Sequence, residues 1–356
     1  MPLTIGVNAL YLKPGAVGGT EIYLRSLLLA LARIDQENTW VIFANSETFE
    51  DLVPAGARNF IWAPQRVGAT FRPGRILYEQ VVLPHKARGV DVLFNPGFTA
   101  PVIGMKNVTV FHDLQHKRHP EYFRWYDLPF WELLLWASAK RSRRLITVSQ
   151  STHDDLAKYY HLESDVILHG VDPHYFAIGE QRRPEKLLLC VSTLHPHKNH
   201  VRLIRAFAKF RITHPDYLLV LAGVRGFVAI EVESEIEKLG LTGAVRITGW
   251  IAQAELFDLY ARAAAMVYPS TFEGFGMPVI EAMAAGVPLA CSNIEPLHGL
   301  VAGCGIEFDP LNEATIEQAL VQVVDHPGPL APALARAREF SWEQTARKTL
   351  DVIKTV

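Results

Sequence analysis

Short apolar segments alternate with longer segments of mixed polarity along most of the chain. The apolar segments are rich in Val, Ile, Leu and Phe, as is typical of buried strands. The segments between them, of about 10 to 16 residues, carry apolar residues at helical spacing. This alternation predicts parallel sheets that are covered by helices on both faces.

The predicted strands fall into two sets. The first set lies at residues 3–9, 40–44, 59–62, 91–95, 107–111 and 145–148. The second set lies at residues 187–192, 217–222, 245–248, 265–268, 288–291 and 305–308. The residues between the two sets, 171–184, are rich in Gly, Pro and charge and show no sustained period, which indicates a linker.

We therefore predict an α/β protein with two doubly wound parallel-sheet domains and a cleft between them. The N-terminal domain is placed at residues 1–170 and the C-terminal domain at residues 185–335. A predicted helix within residues 336–356 is a candidate to pack back across both domains. A length of 356 residues suits two hydrophobic cores. Functional residues are expected in the loops that follow strands, where such sheets bind their ligands.

Composition and charge argue against several classes of function. The chain is 49% hydrophobic and 20% charged, the balance of an ordered globular protein. A net charge of −2 gives no basic field, so we expect no nucleic-acid partner. Three cysteines without C-x-x-C spacing indicate thiols in a reducing compartment rather than disulfides or zinc ligands. No signal-peptide pattern or membrane-length apolar run is present, which predicts a cytoplasmic protein, at most peripheral to a membrane.

The most informative segment, residues 268–292, reads YPSTFEGFGMPVIEAMAAGVPLACS. An apolar strand leads into a glycine-containing loop, and Pro278 stands where the first turn of a helix would begin. The backbone amides of Gly274, Phe275 and Gly276 would then point out of the helix N-terminus. The two glycines lack a Cβ, so an anionic group can approach closely. We interpret this turn as a phosphate-binding site.

Two carboxylates bracket the turn, Glu273 before it and Glu281 within the predicted helix. Carboxylates beside a phosphate would repel it, so we interpret them as acceptors of hydrogen bonds from sugar hydroxyls. The alternative is that Glu273 complements the helix dipole and Glu281 is a surface residue.

Other loops that follow predicted strands add further candidates. Lys198 precedes a helix that Asn199 could cap, and a compact cation there suits a diphosphate, although a single loop lysine is also a common surface group. Gly18 and Gly19 open the first helix, where backbone amides can face a phosphate. His112 ends a predicted strand and would project into the cleft, or else serve as a buried structural histidine.

A nicotinamide-binding site would require G-x-G-x-x-G and an acidic residue at the end of the second strand. The chain has GAVGGT and Asn45 at those places, which argues against a dehydrogenase.

The E-x7-E pattern within EGFGMPVIEAMAAGVP resembles the donor-site motif of glycosyltransferase family 4, whose members are retaining enzymes with the GT-B fold of two Rossmann-like domains. The resemblance extends over nearly the whole chain and is closest to the mannosyltransferase B-like branch. Its other motifs are GGTE at 18–21, FHDLQHKRHPEYF at 111–123, TVSQST at 147–152, HGVD at 169–172, VSTLHPHKNH at 191–200 and TGW at 248–250.

The resemblance implies roles for the bracketed turn. The first glutamate of the family's pair contacts the donor sugar, and the second holds the ribose. These roles fall on Glu273 and Glu281. The amides between them, those of Gly274, Phe275 and Gly276, would bind phosphate and sugar.

The remaining candidates also match family positions. Lys198 corresponds to the pyrophosphate lysine, and His112 to the histidine beside the donor sugar. Two departures stand out. Many relatives carry an additional arginine where Thr193 lies, and His298 followed by Gly299 replaces a common Pro-Glu pair.

The resemblance implies a hexosyltransferase that moves mannose from GDP-mannose to a glycan or lipid-linked acceptor in surface polysaccharide synthesis. A UDP-sugar donor, a nucleotide-sugar-binding protein without catalysis and a nucleotide-sugar epimerase are alternatives. No D-x-D motif is present to hold a divalent cation, so we expect no metal and no cofactor besides the nucleotide-sugar substrate.

Residues 123–144 combine several aromatic residues with a basic end. They form either an ordinary amphipathic helix packed on the N-terminal sheet or a segment that touches anionic lipid.

Overall fold

The computed structural model describes residues 1–15 and 18–356. The chain forms two compact units. Unit 1 contains Met1–Gly170 and Ser341–Val356, and unit 2 contains Val171–Phe340. Each unit is built on one parallel sheet with helices, which confirms the predicted α/β class.

Unit 1 contains a seven-stranded parallel sheet with the strand order β3-β2-β1-β4-β5-β6-β7. Its strands are β1 (Thr4–Ala9), β2 (Thr39–Ala44), β3 (Phe60–Pro64), β4 (Val92–Asn95), β5 (Asn107–Phe111), β6 (Ser142–Thr147) and β7 (Asp165–Val166). Between them lie α1 (Gly19–Ile34), α2 (Arg72–Leu77), α3 (Leu83–Lys86), α4 (Gln115–Arg118), α5 (Leu128–Arg141) and α6 (Gln150–Tyr160). A π-helical turn, Tyr78–Val82, joins α2 to α3.

Unit 2 contains a six-stranded parallel sheet with the order β10-β9-β8-β11-β12-β13. Its strands are β8 (Leu187–Val191), β9 (Leu218–Ala222), β10 (Val245–Gly249), β11 (Ala265–Tyr268), β12 (Leu289–Ser292) and β13 (Ile306–Phe308). Its helices are α7 (His174–Gly179), α8 (His200–Thr213), α9 (Ala229–Lys238), α10 (Gln253–Arg262), α11 (Met277–Ala284), α12 (Leu297–Val301), α13 (Glu313–Asp325) and α14 (Leu330–Ala337). This is the strand order of a Rossmann sheet: successive strands are added on one side of β8 up to β10, and on its other side from β11 onward.

The last helix, α15 (Trp342–Lys354), belongs to unit 1 and packs against α1. The side chain of Ser341 caps it by accepting a hydrogen bond from the amide of Glu343 (3.2 Å). The helix predicted in this region is confirmed, but residues 336–340 belong to unit 2. The packing of α15 on α1 accounts for its place in unit 1.

All twelve predicted strands are present, with ends that differ by up to three residues. The strand that sequence reasoning missed is β7, which has two residues, both half-buried. So short a strand has no recognisable period.

The predicted linker at residues 171–184 is wrong, because this segment lies within unit 2 and contains α7. Tyr175 and Ile178 of α7 are buried, and the Tyr175 ring packs against Tyr260 with 5.1 Å between centroids. A six-residue helix flanked by Gly and Pro is too short to show helical periodicity, which explains the error.

Within the described parts of the chain, none of the helices is both long and apolar enough to cross a bilayer.

Candidate active site

The candidate site in unit 2 lies where its strand order reverses. Strands β8 and β11 pair in parallel at this point, and ligands of doubly wound sheets bind at the carboxyl ends of such strands. Lys198 follows β8, in a short 3₁₀ turn, and Glu273 follows β11. The fold therefore brings together two residues that are 75 positions apart in the sequence.

Lys198 and Glu273 form an ion pair. The Lys198 Nζ donates to Glu273 Oε1 at 2.6 Å and to the Tyr268 hydroxyl oxygen at 3.2 Å. The side chains of Lys198 and Glu273 are only 15% and 8% exposed, so bulk water screens the pair weakly. An ammonium group carries three protons, and these two contacts use two of them. One donor of Lys198 therefore remains for a ligand at this edge of the sheet.

The loop that carries Lys198 is tied to the loop that carries Glu273. The carbonyl of His197 accepts hydrogen bonds from the amide and the hydroxyl of Thr271, at 2.8 and 3.2 Å. The Nδ1 atoms of His195 and His197 lie 2.7 Å apart, so one donates and the other accepts. Burial and the charge of Lys198 lower the pKa of His195. The hydrogen bonds between the two loops fix the position of the Lys198 ammonium relative to the Glu273 carboxylate.

Asn199 differs from the predicted helix cap. It occupies the N-cap position of α8, but its side chain makes no capping hydrogen bond. Its Nδ2 instead donates to the carbonyls of Pro269 and Pro310, at 3.1 and 2.7 Å. Asn199 therefore fixes the loop that follows β11 rather than the start of α8.

Helix α11 begins at Met277, with Pro278 in its first turn, as predicted. Gly276 occupies the N-cap position with φ of 110°, a left-handed conformation that favours glycine. A Cβ on Gly276 would lie 2.4 Å from Leu297 Cδ2 of α12, so a larger residue here would also force this methyl group to move. The Phe275 ring is buried and packs against Phe340, with 6.2 Å between ring centroids. Residues 274–276 separate Glu273 from the start of α11, and the first amides of this helix suit an anion.

Glu281 lies further along α11 and is 6% exposed. The Tyr260 hydroxyl of α10 donates to Glu281 Oε2 at 2.9 Å, and Tyr175 of α7 lies near the same carboxylate. Burial raises the pKa of Glu281 to about 7, although both tyrosines oppose this shift. Glu281 is therefore a buried carboxyl group that is partly protonated near neutral pH, and not a surface residue.

In unit 1, His112 follows β5 and is 7% exposed. Its Nε2 lies 2.8 Å from the carbonyl oxygen of Pro96. Because a carbonyl only accepts, Nε2 carries the proton, and Nδ1 of the neutral ring is an acceptor. Burial lowers the pKa of His112 to about 4, so the ring is neutral near pH 7. The rings of Tyr23, Phe98 and His169 surround it at centroid distances of 4.9, 5.2 and 5.7 Å.

The GGTE motif opens α1 as predicted. Gly18 has φ of 57°, and α1 begins at Gly19. A Cβ at either glycine would meet open space, so the conformation of Gly18, rather than crowding, requires glycine. Glu21 accepts from the amide of Gly15 at 2.9 Å and pairs with Arg25 at 2.9 Å, and so ties the preceding loop to the helix.

The structure thus groups the predicted residues into separate clusters. Lys198, Glu273 and residues 274–276 lie together at the switch point of unit 2, whereas Glu281 faces the tyrosines of α7 and α10. His112 and the glycines of α1 lie in unit 1. Sequence reasoning missed Tyr268 and Tyr260, which hold Lys198 and Glu281. Both tyrosines are fully buried and follow the apolar pattern of their elements, so no sequence signal distinguishes them from core residues.

His298 departs from the usual family pattern, as noted above. It lies on α12, with Nδ1 2.9 Å from Glu307 Oε1 of β13. This hydrogen bond raises the pKa of His298. Nothing else in the structure explains the substitution.

Two protein families match consecutive parts of the chain. The family described as Glycosyltransferase Family 4 matches residues 17–175, and the family described as Glycosyl transferases group 1 matches residues 172–337. The chain belongs to glycosyltransferase family 4. The resemblance seen in its motifs is thereby confirmed, and the protein is a hexosyltransferase.

This glycosyltransferase has mannosyltransferases among its relatives. It is 28% identical to O-antigen chain mannosyltransferase B of Escherichia coli over 285 residues, which covers 74% of each chain. It is 30% identical to O-antigen chain mannosyltransferase RfbU of Salmonella typhimurium over 233 residues, which covers 64% of each chain. The solved structure of Anabaena HepE in complex with UDP and glucose is similar at a TM-score of 0.76 and 18% identity, covering 99% of this chain and 100% of that one. This similarity confirms the GT-B fold.

Proposed function

We propose that this glycosyltransferase is a retaining enzyme that transfers mannose from GDP-mannose to a glycan or lipid-linked acceptor in surface polysaccharide synthesis. The observation that carries the proposal is the 2.6 Å contact between Lys198 and Glu273 beside the N-terminus of α11. A cation and a helix N-terminus suit a diphosphate, and the adjacent carboxylate suits a sugar. The mannosyltransferase relatives support the choice of sugar.

In this proposal the bond between the sugar C1 and the diphosphate oxygen breaks as positive charge develops on the sugar. The remaining donor of Lys198 and the amides of residues 274–276 stabilise the negative charge that gathers on the leaving diphosphate. The acceptor oxygen bonds to C1 on the face that the diphosphate leaves. The proton of the acceptor hydroxyl passes to the departing phosphate oxygen.

Three side chains are proposed to bind the sugar and the ribose of the donor. Glu273 stabilises the developing positive charge and accepts from a sugar hydroxyl. The neutral ring of His112 presents Nδ1 as an acceptor for a second sugar hydroxyl. Glu281 accepts from the ribose hydroxyls, and Tyr260 orients its carboxyl group.

We also propose that the diphosphate is held without a metal ion. Lys198 and the amides at the start of α11 supply the positive potential that a divalent cation would otherwise provide. Thr193 occupies the position where many relatives carry an additional arginine, and His195 and His197 flank Lys198 in the same loop. The two histidines are candidates for further hydrogen bonds to the phosphates.

A UDP-sugar is the second candidate donor, because the similar HepE structure contains UDP and glucose. A thermal-shift screen with GDP, UDP, ADP and their sugars tests the choice of donor. Stabilisation by GDP and GDP-mannose above the others is expected. Release of GDP from GDP-mannose in the presence of a mannose-terminated acceptor then tests catalysis. Preferential stabilisation by UDP and its sugars would refute the mannose proposal, and binding without any GDP release would indicate a protein that has lost catalysis.

A further inference from the structure

Helix α5 of unit 1 is apolar on both of its faces. Leu134 and Leu135 are buried toward the sheet, as expected for a helix that covers it. On the outer face Phe130, Leu133 and Trp136 follow one another at three-residue spacing and are 53%, 64% and 45% exposed. A helix at a protein surface normally presents polar residues outward. The outer face of α5 therefore has a composition that ordinary packing does not explain.

Exposed apolar side chains also lie in the turn before α5 and in a loop that contacts α5. Trp125, in the turn before α5, is 83% exposed. On the other side, the Ala100 amide donates to Ser138 Oγ of α5 at 3.1 Å, and Ile103 in the same loop is 76% exposed. A group of large exposed apolar side chains of this kind marks an interaction surface. We call Trp125, Phe130, Leu133 and Trp136 the α5 face.

Cations flank the α5 face at both ends. Lys140 and Arg141 are exposed at the C-terminal end of α5, and Arg143 is exposed just beyond it. At the other end Arg124 is exposed, and the guanidinium of Arg72 lies over the Trp131 ring at 5.7 Å.

Few acidic groups oppose these cations. Asp127 is exposed at the start of α5, and Glu132 on the helix is paired with Lys117 at 2.9 Å. The whole chain carries a net charge of −2, so the flanking cations are a local concentration and not a general property of the surface.

We propose that the α5 face docks onto the surface of an anionic lipid bilayer. Tryptophan and phenylalanine favour the boundary between headgroups and acyl chains, and neighbouring lysine and arginine side chains are attracted to anionic headgroups. A second copy of the chain fits less well, because a symmetric contact would bring the two sets of cations together. The proposal goes beyond the donor chemistry of unit 2, and vesicle binding can be measured without turnover.

Vesicle flotation tests the proposal with the full chain. We expect binding to vesicles that contain phosphatidylglycerol, weaker binding to pure phosphatidylcholine, and release as salt is raised. The double variant Phe130→Ser, Leu133→Ser should lose binding. Each cation is expected to contribute about five-fold to partitioning, so Lys140→Glu with Arg141→Glu should weaken binding by at least about 25-fold. Ile212→Ser changes a residue that is 82% exposed on α8 and should have no effect.

Three results would overturn the proposal. The first is no binding of the unmodified protein to anionic vesicles at low salt. The second is equal binding by the α5 variants and the unmodified protein. The third is a lipid-free dimer, seen by sedimentation equilibrium and abolished by Leu133→Ser, which would make the α5 face a self-association surface. Circular dichroism spectra and thermal unfolding midpoints that match those of the unmodified protein show that each variant is folded, and neither measurement requires nucleotide binding. They also separate this test from a failure of the proposed donor chemistry.

Discussion

The ammonium of Lys198 and the carboxylate of Glu273 are 2.6 Å apart in a largely buried ion pair. Removing one partner of such a pair leaves the other charge unpaired in a site that water reaches poorly. In the proposed donor complex, the same two groups bind the leaving diphosphate and the sugar. Their contact therefore links the stability of unit 2 to its chemistry.

Lys198→Ala should affect stability and binding together. It leaves Glu273 unpaired, which is expected to cost about 3–5 kcal/mol of unfolding free energy. It also removes a charged hydrogen bond to the diphosphate, so affinity for the nucleoside diphosphate should fall about 10- to 150-fold. Urea denaturation and calorimetry measure the two effects.

Lys186→Ala is the matched control for this prediction. Lys186 also pairs with a carboxylate, that of Asp216 at 2.7 Å, but both side chains are more than 60% exposed. Such exposed pairs contribute only about 0–1 kcal/mol to the free energy of unfolding. Nucleotide affinity that is the same in Lys198→Ala and Lys186→Ala would contradict the role of Lys198.

Glu281 should give unit 2 a pH-dependent stability. Burial raises the pKa of this carboxyl to about 7, above the value of 4.5 for an ordinary glutamate. Between these values the folded state holds a proton that the unfolded state has released, so the stabilisation falls as the pH rises from about 4.5 to 7. Glu281→Gln removes this component. The unfolding free energy of the variant, relative to the unmodified protein, should therefore rise over this window. A difference that does not change with pH would contradict the assignment.

His112 should act without titrating near neutral pH. Its pKa is lowered to about 4 by burial, so kcat/KM should show no break from this residue between pH 5.5 and 8.5. Loss of one neutral hydrogen bond in His112→Asn is expected to lower kcat/KM about 2- to 12-fold. His116→Asn is the control, because His116 is also buried and its pKa is also lowered to about 4. A break near pH 6.5 that disappears in His112→Asn would show that a charged histidine takes part.

Chelation should not abolish turnover. Lys198 and the amides at the start of α11 are proposed to hold the diphosphate in place of a divalent cation. Rates of GDP release measured with and without EDTA should agree. Loss of activity with EDTA, followed by recovery on addition of magnesium, would show that the diphosphate requires a metal ion.

The alternation of apolar strands and helical segments was enough to predict both sheets. Two predicted strands, β3 and β10, are only partly buried. Most of the others are short buried runs rich in aliphatic residues, whose pattern reports burial on both faces of a parallel sheet. This signal fails for β7, with two half-buried residues, and for α7, which is too short for a helical period. In both cases contacts with distant elements, rather than local pattern, determine the structure.

The sequence likewise predicts some residues of the candidate site and not others. Lys198, Glu273 and Glu281 could be selected from their loops and spacing. Their partners could not, because Tyr268 and Tyr260 have the same sequence pattern as core aromatics. The contact between Lys198 and Glu273 depends on the pairing of β8 with β11, which strand prediction alone does not determine. Likewise, the raised pKa of Glu281 depends on burial that spacing does not reveal.

The central claim is that the two glutamates hold different halves of a nucleotide-sugar donor. Calorimetry of GDP binding to Glu273→Gln and Glu281→Gln tests it most directly, with Glu237→Gln, an exposed residue of α9, as the control. GDP carries the ribose but lacks the hexose that is transferred. Glu281→Gln should therefore lose about 10- to 150-fold in GDP affinity, while Glu273→Gln and the control bind GDP nearly as the unmodified protein does. Equal loss of GDP affinity in both glutamate variants would contradict this placement of the donor.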